Sequence, residues 1–355
     1  MSKNRVLAAA AAAGAFSAFW HAGVLPWSVG YSDVLHLFPL ALSPGWPYID
    51  RPVEYPVLTG LLMRFLGWLG GDVNGYFILT AAVLGGTGAL IARLLLDQAA
   101  PRKVLLRWGL APSLAILLVY NWDALAVLCA LAGLLCVKKK RAAAAGVAFA
   151  LGFCFKLYPA LYLAPVFVHW RKDWKLCARL AVAFAATAAA INLPFALINY
   201  SGWAYCFAFN FAANRLPNPD SIFSVVRFVF GWPQGAAAGT LSSFLLAAGL
   251  SCVLWRLRNA SFARLSYGAT LVLLLTAKFF SPQYALWLLP FLALEDAPPV
   301  LAYGFELANL GALFAILQYI IGSRAPAAYQ LCASFVVLRH ACLGGLLWSA
   351  TSRDR

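Results

Sequence analysis

The sequence predicts an all-α fold, a polytopic bundle of about twelve membrane helices with both termini cytoplasmic. Three observations carry that reading. Only 11% of the 355 residues are Asp, Glu, Lys or Arg, whereas a soluble domain carries about 25%. Apolar and aromatic residues make up 63%, and the mean hydropathy is +0.79. Apolar runs also recur along the whole chain, many near the roughly 20 residues that a helix needs to cross hydrocarbon. This composition excludes a soluble globular enzyme, a disordered chain and a disulfide scaffold.

Lys3 and Arg5 precede the first apolar run, 6–25, which reads as a retained span entering from the cytoplasm. Residues 26–71 hold Pro26, Pro39, Pro44, Pro47, Pro52 and Pro56 beside Asp33, Asp50, Arg51 and Glu54. They read as a first extracytoplasmic loop with interfacial helices. Its run 57–69, with Arg64 in the middle, is short for a span and suits the interface. The second span, 72–95, ends in Arg93, Arg102, Lys103 and Arg107. The third rises to Tyr120, and the fourth descends from Asp123 to Lys138-Lys139-Lys140-Arg141. The stretch 142–169 is basic on both flanks, so two short helices meet near the outer face with Lys156 at the apex. A span at 177–199 leads to a second long extracytoplasmic loop, 200–234. Runs at 235–255, 265–280, 282–294, 298–320 and 329–349 complete one polytopic membrane domain, 1–355.

The net charge of +15 comes from 27 basic and 12 acidic residues. In a soluble protein it would suggest nucleic acid. Here nineteen of the basic residues fall at cytoplasmic ends, as the positive-inside bias requires. Arg51, Arg64, Lys156, Arg215, Arg227, Lys278, Arg324 and Arg339 do not. Asp33, Asp50, Glu54, Asp72, Asp123 and Asp220 lie on the outer side of this topology. The helices at 108–120, 122–137 and 157–169 are short for a bilayer, which leaves a cavity, and polar groups around it are functional candidates. The eight cysteines include no CxxC pair and read as small buried residues, with a Cys206–Cys332 bridge left open.

Six polar clusters collect on the outer side: Tyr31-Ser32-Asp33, Asp50–Pro56, Tyr120–Asp123, Lys156–Pro159, Asn214–Ser221 and Lys278–Tyr284. A Lys in hydrocarbon costs about 2.5–3.5 kcal/mol on insertion scales, a cost tolerated when the cation meets an anion. Lys156, Lys278, Arg215 and Arg227 suit a phosphate. Asp33 and Glu54 suit a general base.

The ordered segments YSDVLHLFPLALSPGWPYIDRPVEYPVLTGLLM, KLYPALYLAP and KFFSPQYALWLLP resemble bacterial members of glycosyltransferase family 87. The resemblance spans most of the chain. It implies a C-type membrane glycosyltransferase that takes sugar, usually mannose, from a polyprenyl-phosphate donor at the outer face. It implies inverting transfer to a glycolipid or polysaccharide acceptor, with a catalytic Asp in the first outer loop, matched here by Asp33. The expected partners are that donor, a lipid-linked or glycan acceptor and membrane lipids, with no nucleic acid. No cofactor is expected, since no phosphoanhydride is cleaved; the sequence has no DxD in an outer loop and no His cluster to hold a metal.

Plain structural readings stand beside these. Asp33 and Asp123 both precede apolar runs and fit helix N-caps. Arg51 and Glu54 fit a loop ion pair, or with Tyr55 an acceptor contact that orders the site. Asp50 fits a turn. His36 lies one turn after Asp33 and either tunes it or packs. Gln283 and Tyr284 line the cavity or pack. Trp27, Trp46, Trp203 and Trp232 fit an interfacial belt, and Glu306 fits a buried pair with Arg339. Among rival classes, a secondary transporter also fits the span count. However, residues 1–177 and 178–355 show no repeat, which transporters usually carry. An acyltransferase lacks its histidine motif, and a scaffold has no need of these charges.

Overall fold

A computed structural model describes residues 2–24, 31–212, 215–233, 235–322 and 325–352. Pro26, Trp27, Asn214, Arg324, Arg353 and Arg355 lie outside the described residues. Regular structure among the described residues is helical, apart from an isolated Pro47–Arg51 bridge. Two compact units emerge, Met1–Asn210 and Phe211–Arg355.

In the first unit, α1 (Lys3–His21) packs on α5 (Val73–Leu95). Asp72 caps α5 by accepting from the Gly75 amide at 2.7 Å. Between them lie α2 (Asp33–His36), α3 (Phe38–Leu42) and α4 (Val57–Gly70). α4 is amphipathic, burying Met63 and Leu66 and exposing Phe65 and Trp68, as an interfacial helix does. The rise toward Tyr120 is not one helix. It breaks into α6 (Pro101–Val104), a π turn at Leu105–Gly109, and α7 (Pro112–Leu117). Pro112 has no amide hydrogen to continue the ladder, so the backbone restarts there. Ser17 Oγ and His21 Nε2 of α1 meet the Ile116 carbonyl at 3.1 and 2.7 Å, which seats α7.

α8 (Asp123–Lys138) and α9 (Ala142–Phe155) then pack together. The expected break at Lys156 is present: Lys156 is extended, a 3₁₀ turn covers Tyr158–Tyr162, and α10 (Leu163–His169) follows. α11 (Trp174–Ile198) and α12 (Tyr200–Phe211) close this half of the chain.

In the second unit, α13 (Ile222–Phe230) buries Phe223 and Val225 and exposes Phe228, Val229 and Phe230. Ser221 caps it through the Ser224 amide, and Gly231, at φ 71°, ends it in the left-handed region open to glycine. The described residues of 200–234 therefore carry two helices, α12 and α13. α14 (Gly235–Arg256), α15 (Phe262–Thr276), a 3₁₀ turn at Pro282–Tyr284, α16 (Ala285–Leu294), α17 (Pro299–Ile321) and α18 (Pro326–Ser352) follow. α17 and α18 form an antiparallel hairpin, with Gly311 against Phe335 and Gly304 against Cys342.

Among the described residues, five helices, α5, α11, α14, α17 and α18, are long and apolar enough to cross a membrane. Four shorter apolar helices accompany them: Val57–Gly70, Ala142–Phe155, Phe262–Thr276 and Pro282–Leu294. The chain is a multi-pass membrane protein. Trp46 and Trp232 are more than half exposed, as belt residues are, whereas Trp203 donates its indole N–H to Asn192 Oδ1 at 2.9 Å. All eight cysteines are free; Cys206 and Cys332 are buried, and Cys252, expected inside, is exposed on α14. The expected Glu306–Arg339 pair is not formed. Arg339, fully buried, donates to Asn309 Oδ1 at 3.0 Å and to the Asp220 carbonyl at 2.5 Å. Those acceptors, the face of Phe280 at 3.7 Å from the guanidinium carbon and the opposite charge of the buried Asp220 carboxylate satisfy the cation instead.

Candidate active site

Asp33 is where the first unit concentrates polar groups. It does not cap α2. Ser32 does, its Oγ accepting from the Leu35 amide at 3.2 Å. Asp33 is thus the first helical residue, and its carboxylate meets other partners. Its amide donates to the Tyr120 carbonyl at 2.9 Å, which ties the start of α2 to the turn before α8. Its Oδ1 accepts from the Tyr31 hydroxyl at 3.0 Å and its Oδ2 from Asn121 Nδ2 at 2.6 Å.

Asn121 is buried, and its Oδ1 accepts from the Trp122 amide at 2.6 Å. That contact turns Nδ2 toward Asp33 and toward the Tyr55 hydroxyl at 2.7 Å. Tyr55, also buried, packs edge-on to Trp122 with centroids 5.4 Å apart. Asp123 heads α8 without capping it. Its carboxylate is fully buried and takes Lys156 Nζ at 3.0 Å. The Lys156 ammonium also lies 5.0 Å from the centre of the Tyr55 ring. The cation expected to meet a phosphate is therefore held in an ion pair, because a buried carboxylate needs a counter-charge. Burial pushes the Asp33 carboxyl above the ordinary carboxylate range. The Asn121 hydrogen bond, the Lys156 charge and the Tyr31 hydrogen bond act against that rise, and the Asp123 charge adds to it.

The loop behind this cluster is stapled by backbone acceptors. Arg51 donates to the carbonyls of Leu40, Ser43 and Pro44 at 2.5, 3.0 and 2.7 Å, so the expected ion pair with Glu54 is absent. Asp50 accepts from the Trp46 amide at 2.6 Å, as a turn residue does. The Tyr48 hydroxyl reaches the carbonyls of Tyr55 and Pro56 at 2.8 and 2.7 Å and lies flat on Gly60, where no Cβ would fit. The Glu54 carbonyl accepts from Asn210 Nδ2 at 3.0 Å. His36 is exposed, its ring 5.8 Å from that of Tyr31.

The second unit places two of the expected cations together. The Lys278 ammonium and the Arg215 guanidinium lie 4.8 and 4.2 Å from the centre of the Phe279 ring. Lys278 is buried, with Nζ donating to the Ala212 carbonyl at 3.2 Å and its amide donating to Ser242 Oγ at 3.1 Å. Arg227 lies on α13. Gln283 is buried, and Tyr284 stacks on Trp287 with centroids 3.8 Å apart. Asn309 Nδ2 donates to the Pro282 carbonyl at 2.8 Å, so α17 holds the 278–284 segment.

Sequence reasoning places Asn121 in the Tyr120–Asp123 cluster without giving it a role, and it passes over Asn309 and the role of Arg339. Asn121 carries a signal: it is an amide side chain at the break between two apolar runs, next to a candidate carboxylate. Among the described residues, no group of three His, Cys, Asp or Glu side chains converges as metal ligands do.

Three comparisons bear on this site. The chain matches the family model of glycosyltransferase family 87 over residues 54–277, more than half its length. The match starts beyond Asp33 and stops just before Lys278. Among solved structures, the chain is similar to the apo oligosaccharyltransferase of Archaeoglobus fulgidus at 15% identity and a TM-score of 0.47. That alignment covers 98% of this chain and 55% of the other, so the chain spans about half that protein's length. No curated protein sequence matches.

Proposed function

The chain belongs to glycosyltransferase family 87, and on that premise we propose that it moves mannose from a polyprenyl-phosphate donor to a glycolipid or polysaccharide acceptor. The transfer takes place at the extracytoplasmic face of the cell membrane, with inversion at the anomeric carbon. Asp33 is the base. The observation that carries this reading is the Asp33 cluster itself: a carboxylate fixed through both oxygens inside an apolar helical unit. A membrane protein keeps such a group only when it has work to do.

The chemistry follows from the groups present. The acceptor hydroxyl attacks the anomeric carbon while its proton passes to the Asp33 carboxylate. The bond from that carbon to the phosphate oxygen breaks, and polyprenyl phosphate leaves. In-line displacement puts the base and the leaving group on opposite sides of the sugar, as in inverting glycosidases. Charge grows on the departing phosphate, and fixed cations in a water-poor setting stabilise it more than water does. Lys278 and Arg215 are the candidates for that task, with Arg227 on α13 a third. Lys156 acts on Asp33 through its charge. Arg51, Glu54, Tyr55, Asp123 and His36 order the loop or meet the acceptor, and Gln283 and Tyr284 pack beside Lys278.

The test uses membranes containing the full chain, incubated with polyprenyl-phosphate mannose labelled in the sugar. The expected result is label in a new extractable lipid or glycan, absent from membranes without the protein. Label that stays on the donor contradicts the reading.

A further inference from the structure

We propose that Asn121 is the positioning residue of Asp33, its backbone-locked amide aiming the carboxylate and favouring its ionised form. The inference rests on Asp33 being the base. Four observations support it. First, the Trp122 amide donates to Asn121 Oδ1 at 2.6 Å, so the side-chain amide cannot flip without losing a buried hydrogen bond. Second, its two N–H groups are then committed, one to Asp33 Oδ2 at 2.6 Å and one to the Tyr55 hydroxyl at 2.7 Å. Third, the same turn grips Asp33 a second time, through the Asp33 amide and the Tyr120 carbonyl at 2.9 Å. Base and positioning amide thus move as one piece. Fourth, the Lys156 ammonium, paired with Asp123 at 3.0 Å, acts on Asp33 through its charge, while Asn121 meets the carboxylate directly at 2.6 Å.

This arrangement suits a base. A neutral amide donor favours the ionised form less strongly than a cation does, so the carboxylate keeps more of its basicity. The charged and titratable groups around Asp33 are Tyr31 before α2, His36 on it, Glu54 and Tyr55 in the loop, Asp123 on α8 and Lys156 after α9. His21 of α1 stands behind Tyr120, centroids 5.6 Å apart. Burial raises the affinity of Asp33 for a proton, and the Asn121 hydrogen bond opposes that.

A structural role and a positioning role predict different outcomes for Asn121→Ala. This variant removes both donors and adds no charge beside Asp33. If Asn121 merely holds the turn, the acid limb of kcat/KM stays in place. If it positions the base and favours its ionised form, the limb moves up, because the charged carboxylate loses a donor. A hydrogen bond to a charged group shifts a pKa by about one to two units. The assay follows label transfer from polyprenyl-phosphate mannose by the full chain in membranes, at subsaturating donor, between pH 5 and 9 (a range set by the assay, spanning about two units either side of neutrality). The expected result is at least about a tenfold loss at the acid end, with recovery toward the alkaline end. Asn121→Asp serves as the second variant: it keeps the acceptor for the Trp122 amide, and its like charge beside Asp33 moves the limb further up. An acid limb unmoved in Asn121→Ala overturns the proposal. So does the absence of both variants from the membrane, which would make Asn121 a staple of the turn. Failure of the underlying reading looks different: Asp33→Asn would then still transfer sugar, whatever Asn121 does.

Discussion

Lys156 tests whether the Asp33 neighbourhood is held by an ion pair or left open to a phosphate. Its ammonium sits 3.0 Å from an Asp123 carboxylate whose side chain is fully buried, while the Lys156 side chain is 15% exposed. Lys156→Met keeps most of the packing and leaves Asp123 charged and buried without its partner. Removing one member of a buried pair costs about 3–5 kcal/mol, far above the 0–1 kcal/mol of a surface pair. Adding Asp123→Asn to Lys156→Met removes the stranded charge, and most of the loss returns. The assay is a double-mutant cycle on chemical unfolding in detergent, with donor KM measured alongside. A coupling energy of at least about 2 kcal/mol is expected. A loss below about 1 kcal/mol in the single variant, together with a large rise in donor KM, would refute the ion-pair account and return Lys156 to the phosphate.

Three further outcomes follow. Arg339→Met strands the Asn309 side-chain oxygen and the Asp220 carbonyl, and Arg339→Lys does not rescue it, because an ammonium lacks the fork that reaches both. Both variants lose thermal stability, and a Lys variant as stable as wild type would contradict this. Burial raises the Asp220 pKa to about 6 from 3.8. The folded state therefore binds a proton more tightly than the unfolded one, and this contribution is complete below about pH 4 and lost as pH rises through about 6. Melting in detergent should show that decline, and Asp220→Asn should flatten it; a slope unchanged in the variant would refute the assignment. Cysteines placed at the exposed positions 46 and 139 should label from opposite sides of the membrane, 46 from outside and 139 from inside; the reverse pattern overturns the topology.

Much of the helical layout is legible in the sequence because apolar run length and basic ends are local signals. α8 begins at Asp123, and the helix break at Lys156 falls between α9 and α10, where the sequence reading places them. The split of the stretch before Tyr120 is less legible, since the apolar run is continuous and only Pro112 marks the restart. Side-chain partners are less legible still. Whether Asp33 caps its helix depends on Ser32 one residue earlier, and both fit the cap preference equally. Arg51 and Glu54 look like a pair because they are close in sequence, yet the loop curls so that three carbonyls reach the guanidinium first. Arg339 and Glu306 look like a pair because both are buried charges, but Asn309 and a loop carbonyl 119 residues away satisfy the cation. Asn121 shows the same limit, since what fixes it is a backbone amide position that composition does not record.

The central claim is that Asp33 removes the acceptor proton during sugar transfer. The most direct measurement compares wild type and Asp33→Asn in membranes at equal protein level, following label from polyprenyl-phosphate mannose into product. The amide keeps the shape and can still meet Tyr31 and Asn121, so the protein should fold and bind donor as before. Label transfer should fall by at least about a hundredfold, the lower end of what a positioned base contributes. Transfer at the wild-type rate by Asp33→Asn would contradict the account.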